Sequence, residues 1–331
     1  MKSTTDASLL KLNTFGLDAR ASRLVTIEAA DELRQVDFGN PYLVLGGGSN
    51  MVFAHNFDGT VLHMANRGIA KVGSGEEWVL VEAQAGEEWD PFVRHCAANG
   101  WHGLENLAAI PGTVGAAPVQ NVGAYGAEAA DCIESVSAYN TATAQMVTIG
   151  ANECRFGYRD SLFKHHKELI VTAVTFRLST RFAPNTSYSA LRQNLEAANM
   201  AHPTALQMVE TVTALRWDKL PRPEEYGSAG SFFKNPVVDA HTRDSLLAQY
   251  PDMPSYPTPD GGAKLSAAWL IDRAGWKGRR VGNAAVWQRQ PLVLYNAGGC
   301  TGNDITALAS AIATDVEQKF GVGLTPEAII I

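Results

Sequence analysis

Gly103-Leu104-Glu105-Asn106-Leu107-Ala108-Ala109-Ile110-Pro111-Gly112-Thr113-Val114-Gly115-Ala116-Ala117-Pro118-Val119-Gln120-Asn121-Val122-Gly123-Ala124-Tyr125-Gly126 has glycine, alanine or proline at half its positions, and Glu105 is its only charge. Side chains that small add little packing of their own. Such a backbone suits close wrapping around a large flat ligand, with hydrogen bonds made through main-chain groups. The plainer alternative is a long ordered loop. Upstream, Leu45-Gly46-Gly47-Gly48-Ser49-Asn50 follows the apolar run Tyr42-Leu43-Val44-Leu45. Consecutive glycines let backbone N–H groups approach a pyrophosphate with no Cβ in the way. The spacing is not a dinucleotide fingerprint, because Met51 stands where a glycine would be needed, and no Gly-Lys-Ser/Thr follows to make a Walker A loop. Taken alone, three glycines after a strand also describe a tight turn.

The rest of the chain narrows the class. Its 331 residues make about two domains a fair prior and are enough to bury a sizeable core without staples. Lys and Arg number 27 against 34 Asp and Glu, a formal charge of −7 with no basic run. That balance argues against a nucleic-acid or anionic-membrane partner. Hydrophobic content of 46% with 18% charged residues excludes disorder as the main state. No run approaches the roughly 18 apolar residues of a membrane span. The first residues carry Asp6 and lack a basic stretch followed by an apolar one, so no signal peptide is expected. Cys96, Cys132, Cys154 and Cys300 lie far apart with no C-x-x-C, which points to free thiols in a reducing cytoplasm rather than to a metal or disulfide framework. His165 and His166 are adjacent and expected in solvent. No histidine stands in an H-E-x-x-H or similar ligand pattern, so no metal is expected.

Short apolar runs predict strands at residues 42–45, 60–64, 78–85, 134–139, 146–149 and 168–178. Asp90-Pro91 reads as an N-cap followed by a first-turn proline, with Phe92, Val93, Cys96 and Ala97 at helical spacing and Gly100 just past the end. Helices are predicted over 190–199 and 204–217, and Lys219-Leu220-Pro221-Arg222-Pro223 reads as a linker. Beyond it come a helix at 266–274 closed by Gly275, strands at 280–286 and 292–295, and a terminal strand at 327–331. A strong amphipathic helix is expected at 304–320, with Ile305, Leu308, Ile312, Val316 and Phe320 on one face. Mixed strand and helix order predicts an α+β protein with its boundary at about 200–225.

The two glycine-rich segments, with Asn13-Thr14-Phe15-Gly16 before them, resemble the flavin-binding half of the UDP-N-acetylenolpyruvoylglucosamine reductases. Arg155-Phe156-Gly157-Tyr158-Arg159-Asp160-Ser161 and Gly227-Ser228-Ala229-Gly230-Ser231-Phe232-Phe233-Lys234-Asn235-Pro236 match two further motifs of that family, in the same order. The likeness runs from about Asn13 to the C-terminus. It implies FAD on a vanillyl-alcohol-oxidase or PCMH-type two-subdomain fold, plus a C-terminal α+β substrate-binding domain. It also implies reduction of an enolpyruvyl ether to a lactyl ether with NADPH, in cytoplasmic synthesis of peptidoglycan precursors by a monomer. The FAD-binding region would be 1–205, with subdomains of about 1–70 and 71–205, and the substrate domain 206–331. The last strand, about 321–331, would return to the first subdomain. The flavin is then expected against Gly46, Gly47, Gly48, Ser49, Asn50, Pro111, Gly112, Thr113, Gly115, Ala116, Gln120, Asn121, Gly123, Ala124 and Tyr125.

That reaction needs a fixed cation at the substrate carboxylate, a proton donor at one alkene carbon, and exclusion of water. Arg159 fits the first need, because a guanidinium grips a carboxylate with two donors and cannot deprotonate. Arg155, Asp160 and Lys164 lie close by, so a surface ion pair is the bland alternative. The resemblance assigns Ser231 as the acid, although a serine in a glycine-rich turn is usually a turn residue; a nearby cation such as Lys219 would ease its proton loss. It gives Glu327 the part of a neutral donor to the developing enediolate, which partial burial would favour; otherwise this carboxyl is a solvated strand end. Arg159, Ser231 and Glu327 are expected to converge over one flavin face. Tyr188 and Lys219 match positions that hold the substrate diphosphate, Asn235 matches another substrate contact, and Tyr125 lies where flavin and substrate meet. Tyr188 points to the family's first subtype, in which a loop closes over the substrate.

Trp287 and Pro291 stand where smaller or polar residues are expected, and Ala116 and Ala117 replace hydroxyls that some relatives carry. Two rivals stay open. One is another FAD-dependent oxidoreductase on the same scaffold, such as an oxidase that consumes oxygen. The other is a non-catalytic nucleotide-binding module, which would be colourless.

Overall fold

The structure is a computed structural model and describes residues 1–331. The chain packs as two compact units. One comprises Met1–Ala7, Ala21–Gly47 and Asp58–Trp217, and the other Ser8–Arg20, Gly48–Phe57 and Asp218–Ile331. Neither is a contiguous piece of sequence.

The first unit is built on two sheets. A four-stranded sheet runs in the order Lys2–Ser8, Arg20–Ile27, Phe57–Met64, Tyr42–Leu45, and its last two strands are parallel. A five-stranded antiparallel sheet runs Gln145–Gly150, Ile133–Asn140, Leu169–Ser179, Trp78–Gln84, Ile69–Ser74. Its central strand explains its own sequence. Val174, Phe176 and Leu178 pack with Trp89 and Phe92, while Ile170 joins Val25, Ile27 and Leu62 in a second core. Residues 170–174 are buried in succession and read as a run, whereas from 175 to 179 burial alternates and Arg177 is exposed. Helix Trp89–Ala98 buries Trp89, Phe92, Val93, Cys96 and Ala97, and Gly100 follows at φ +70°. Asp90 corrects the sequence reading. Glu88 is the N-cap, and the Asp90 carboxylate accepts instead from Arg94 Nε at 2.8 Å and from the Ala109 amide at 2.5 Å. Helices Ser189–Ala197 and Ala205–Lys219 add Leu191, Leu195, Met208, Val209, Val212 and Leu215 to the same core. The second of these runs two residues past its predicted end, through Lys219.

The second unit contains an antiparallel sheet in the order Gly227–Ser231, Val293–Asn296, Ala284–Val286, Arg280–Val281. The single strand predicted over 280–286 is two short strands, because Gly282 turns the chain at φ +60°. Helix Gly302–Phe320 lays Ile305, Leu308, Ile312, Val316 and Phe320 into the core, as its spacing predicts. Its capping box is reciprocal: Thr301 Oγ1 accepts from the Asp304 amide at 3.2 Å, and Asp304 accepts from the Thr301 amide at 2.8 Å. Helix Ala267–Arg273 starts at Ser266, whose hydroxyl accepts from the Trp269 amide at 3.3 Å, and Gly275 follows it at φ +85°. Sequence reading passes over helix Ala240–Gln249, whose mixed polar composition hides a clear cap: Asp239 accepts from the Thr242 amide at 2.7 Å. The terminal strand is shorter than its expected 327–331. It spans Ile329–Ile330, in parallel with Met51–Val52.

No helix is long and apolar enough to cross a membrane. The four cysteines are free and buried. Burial pushes the thiols of Cys132 and Cys300 up to about 12 and that of Cys154 to about 11. They therefore stay protonated and unreactive near neutrality.

Candidate active site

In the first unit the two glycine-rich segments lie against one another. A Cβ on Gly46 would sit 2.3 Å from Thr113 Oγ1, and one on Gly47 would sit 3.1 Å from Gly112 Cα. Gly46 meets the Thr113 hydroxyl, and Gly47 the Gly112 backbone, only because neither carries a Cβ. That is the form a main-chain cradle for a flat cofactor or its diphosphate requires, and it fits FAD. Ala117 is buried while Ala116 is exposed, so one of the two replaced hydroxyls would have faced the core. Gln120, Gly115 and Pro111 are half-buried along the same segment.

The loop that follows is held in an unusual backbone. Asn121, Tyr125 and Arg159 have φ values of +45°, +49° and +53°, a region that L residues enter at a cost of about 1–3 kcal/mol each. Such conformations persist only where the surroundings over-determine them. Asn121 is fully buried. Its Nδ2 donates to Glu128 Oε2 at 2.6 Å and to the Gly157 carbonyl at 3.2 Å, and its Oδ1 accepts from the Ala130 amide at 3.0 Å. The side chain thus ties residues 121–130 to the 157–159 turn. Arg159 Nη2 donates to the Gly123 carbonyl at 2.7 Å, and Nη1 to that of Asn121 at 3.4 Å. A Cβ on Gly123 would stand 3.0 Å from Arg159 Nη1 and from Glu128 Cγ, so those side chains would have to give way.

Tyr125 and Tyr188 meet edge to face, with ring centroids 5.3 Å apart and planes at 88°. Burial raises the Tyr125 phenol above its ordinary pKa, and the Arg216 guanidinium opposes that shift. Sequence reading missed Arg216. It follows Val209 and Val212 at helical spacing, on a face that is otherwise buried, and its Nε is buried with no hydrogen-bond partner. Burial lowers its pKa, the Tyr125 and Asp90 charges oppose that, and the Arg159 charge adds to it. A cation on the apolar face of a helix is the signal that could have found it.

In the second unit the segment carrying Glu327 runs beside the residues that follow Ser231. The Glu327 amide donates to the Phe232 carbonyl at 2.7 Å, and the Lys234 amide to that of Thr325 at 3.0 Å, so residues 325–327 run as a short ladder beside 232–234. Ser231 lies opposite Val293 after a register shift, with Gly230 at φ +68° before it. Both Ser231 and Glu327 are half-buried. Asn50 is part of the same arrangement: its Nδ2 donates to the Glu327 carbonyl at 3.2 Å, and its own carbonyl accepts from the Ile329 amide at 2.9 Å. Asn235 Oδ1 accepts from the Ala267 amide at 3.0 Å, which leaves its Nδ2 as the donor able to meet a phosphate oxygen. Lys219 is half-buried, directly after Asp218, whose carboxylate pairs with Arg289 at 3.0 Å. Trp287, flagged by its size, packs 5.3 Å from both Tyr226 and Tyr295, with its indole Nε1 buried and unpartnered. Arg159 and Tyr188 belong to the first unit, and Ser231, Glu327, Lys219 and Asn235 to the second.

Comparison with known proteins adds three kinds of finding. Residues 26–150 match the model of an FAD binding domain, and residues 222–331 that of the UDP-N-acetylenolpyruvoylglucosamine reductase C-terminal domain. The UDP-N-acetylenolpyruvoylglucosamine reductase of an Azoarcus species is 47% identical, with 99% of this chain and 97% of that one covered. The one from Bordetella pertussis is 48% identical over 96% of this chain and 92% of its own. Among solved structures, the reductase of Thermus caldophilus aligns with a TM-score of 0.69 at 26% identity, covering 99% of this chain and 98% of its own.

Proposed function

The chain belongs to the family of UDP-N-acetylenolpyruvoylglucosamine reductases, and from that premise we propose that it reduces UDP-N-acetylglucosamine enolpyruvate to UDP-N-acetylmuramate with electrons from NADPH. As in its family, the enzyme is an FAD-dependent oxidoreductase. When bound, FAD would supply hydride-transfer chemistry between NADPH and the enolpyruvyl group, and the Gly46, Gly47, Gly112 and Thr113 backbones would hold it. The observation that carries the reading is the backbone ladder that sets residues 325–327 beside 232–234, directly after Ser231, since the reaction needs one proton donor at the alkene carbon and another at the enediolate oxygen.

Each residue then has a role set by charge. Arg159 grips the substrate carboxylate with two N–H donors as negative charge gathers there. Its fork is oriented by the carbonyls of Asn121 and Gly123. Ser231 Oγ gives up its proton to the alkene carbon that did not take the hydride, so one hydride and one proton saturate the double bond. The Glu327 carboxyl, protonated, donates to the enediolate oxygen. Tyr125 and Tyr188 wall the sugar-nucleotide site, and Lys219 with Asn235 Nδ2 takes the diphosphate. NADPH and the enolpyruvyl substrate use this site in turn, which gives ping-pong kinetics.

The test is anaerobic. NADPH is added until the flavin absorbance bleaches, and the enolpyruvyl sugar nucleotide is then expected to restore it within one turnover. Reduced enzyme that reoxidises with oxygen but not with this substrate overturns the assignment in favour of an oxidase.

A further inference from the structure

One buried side chain outside the proposed chemistry holds both walls of the aromatic pair. Asn106 is 3% exposed, and its Nδ2 donates to the Tyr125 carbonyl at 2.8 Å and to the Asn185 carbonyl at 2.9 Å. The two acceptors lie in segments far apart in sequence, one in the 121–126 loop and one in the loop that leads into Tyr188. The second loop answers in kind: Asn185 Nδ2 donates to the Gly126 carbonyl at 3.1 Å, while its Oδ1 accepts from the amide and hydroxyl of Ser187 at 3.1 and 2.7 Å. The loops approach so closely that a Cβ on Gly126 would stand 2.5 Å from Ser187 Oγ.

Asn106 is itself fixed from both sides. Its neighbour Glu105 is buried and accepts from His102 Nδ1 at 2.9 Å and from the Gly103 amide at 2.8 Å. The carbonyl of Leu107 accepts from Trp89 Nε1 at 2.9 Å. A short turn anchored in the core therefore reaches out with a single amide group. One end of what it grips is Tyr125, whose φ of +49° must be held by its surroundings.

We propose that Asn106 is a positioning residue for the sugar-nucleotide substrate, which clamps the 183–188 loop onto the 121–126 loop and so sets the Tyr125–Tyr188 pair. The proposal rests on the reading above in which those tyrosines line the substrate site. Asn106 touches neither substrate nor cofactor in this scheme. It acts through the two rings, and so on the sugar-nucleotide half-reaction more than on the NADPH one.

Asn106→Asp is the sharpest variant, because the shape is kept and both N–H donors are lost. Expected are an increase of about tenfold or more in KM for the enolpyruvyl sugar nucleotide, an NADPH reduction rate within about twofold of the parent, and full FAD content. In a Tyr188→Ala background the same substitution should change that KM by less than about twofold, since its route of action is already gone. A readout without any ligand runs beside this: amide exchange at residues 187–192 should speed up in the Asn106→Asp holoenzyme. Unchanged exchange overturns the clamp, as do additive effects in the two backgrounds or a parallel fall in FAD content and NADPH reduction. Asn106→Ser, smaller and able to keep one donor, should fall between the parent and the aspartate variant if the latter folds poorly; equality with the parent in exchange and KM also overturns the proposal. If faster exchange appears but the parent enzyme is not reoxidised by the sugar nucleotide, the clamp stands and it is the substrate reading that fails.

Discussion

The 121–126 loop of the first unit and the 227–235 segment of the second present their chemical groups in opposite ways. In the loop, Asn121 and Tyr125 hold left-handed backbone, as does Arg159 beside it, and the strain is held off by side-chain amides reaching in from Asn106, Asn121 and Asn185. In the segment, Ser231 and Glu327 sit on ordinary ladder hydrogen bonds. The contrast teaches where precision is stored. Strained loops are as good as their clamps, so remote substitutions can misplace them. Ladder-held groups lose function mainly when they are themselves replaced.

That difference can be broken at several points. The largest effect is expected at Ser231→Ala, where removal of the proton donor should slow reoxidation of the flavin by substrate by about 10²–10⁴-fold with reduction by NADPH unchanged, as stopped-flow absorbance would record. A smaller loss, about 10²-fold in turnover, should follow Arg159→Lys, which keeps the charge but loses the fork; it should not release the flavin. A turnover equal to the parent's would remove Arg159 from the chemistry. Gly46→Ala probes the cradle. Its new methyl meets Thr113 Oγ1, and the strain of about 1–3 kcal/mol should appear as protein purified with less bound flavin. The smallest effect belongs to Thr301→Ala, which removes a helix cap. It should cost about 1 kcal/mol in a denaturant titration and leave KM values alone.

Legibility in the sequence followed the same division. The helix over 304–320 and the strands around 78–85 and 168–178 announce themselves because burial imposes a period or a run. Gly275 and Gly100 mark helix ends for the same local reason. Asp90 misleads, since its carboxylate is drawn away from the helix start by Arg94 and the Ala109 amide, partners that no local pattern announces. The strand read over 280–286 fails at Gly282-Asn283, a two-residue turn between its short strands. At the site, glycine placement points to the cradle of Gly46, Gly47 and Gly112, while Arg216 and Asn106 stayed hidden. The former is a charge on an apolar helix face, and the latter a small amide whose two acceptors lie 19 and 79 positions away.

The way the chain passes back and forth between its two units has a consequence for biogenesis. Phe15, Leu17 and Val52 emerge early from the ribosome, yet the side chains that bury them, among them Phe232, Ile271 and Val316, come from the last third of the message. A nascent chain stopped near Trp217 would carry those early apolar residues uncovered, a target for chaperones and a seed for aggregation. Splitting the chain at Trp217 should therefore leave the first fragment insoluble, and co-expression with the second should restore the pairing.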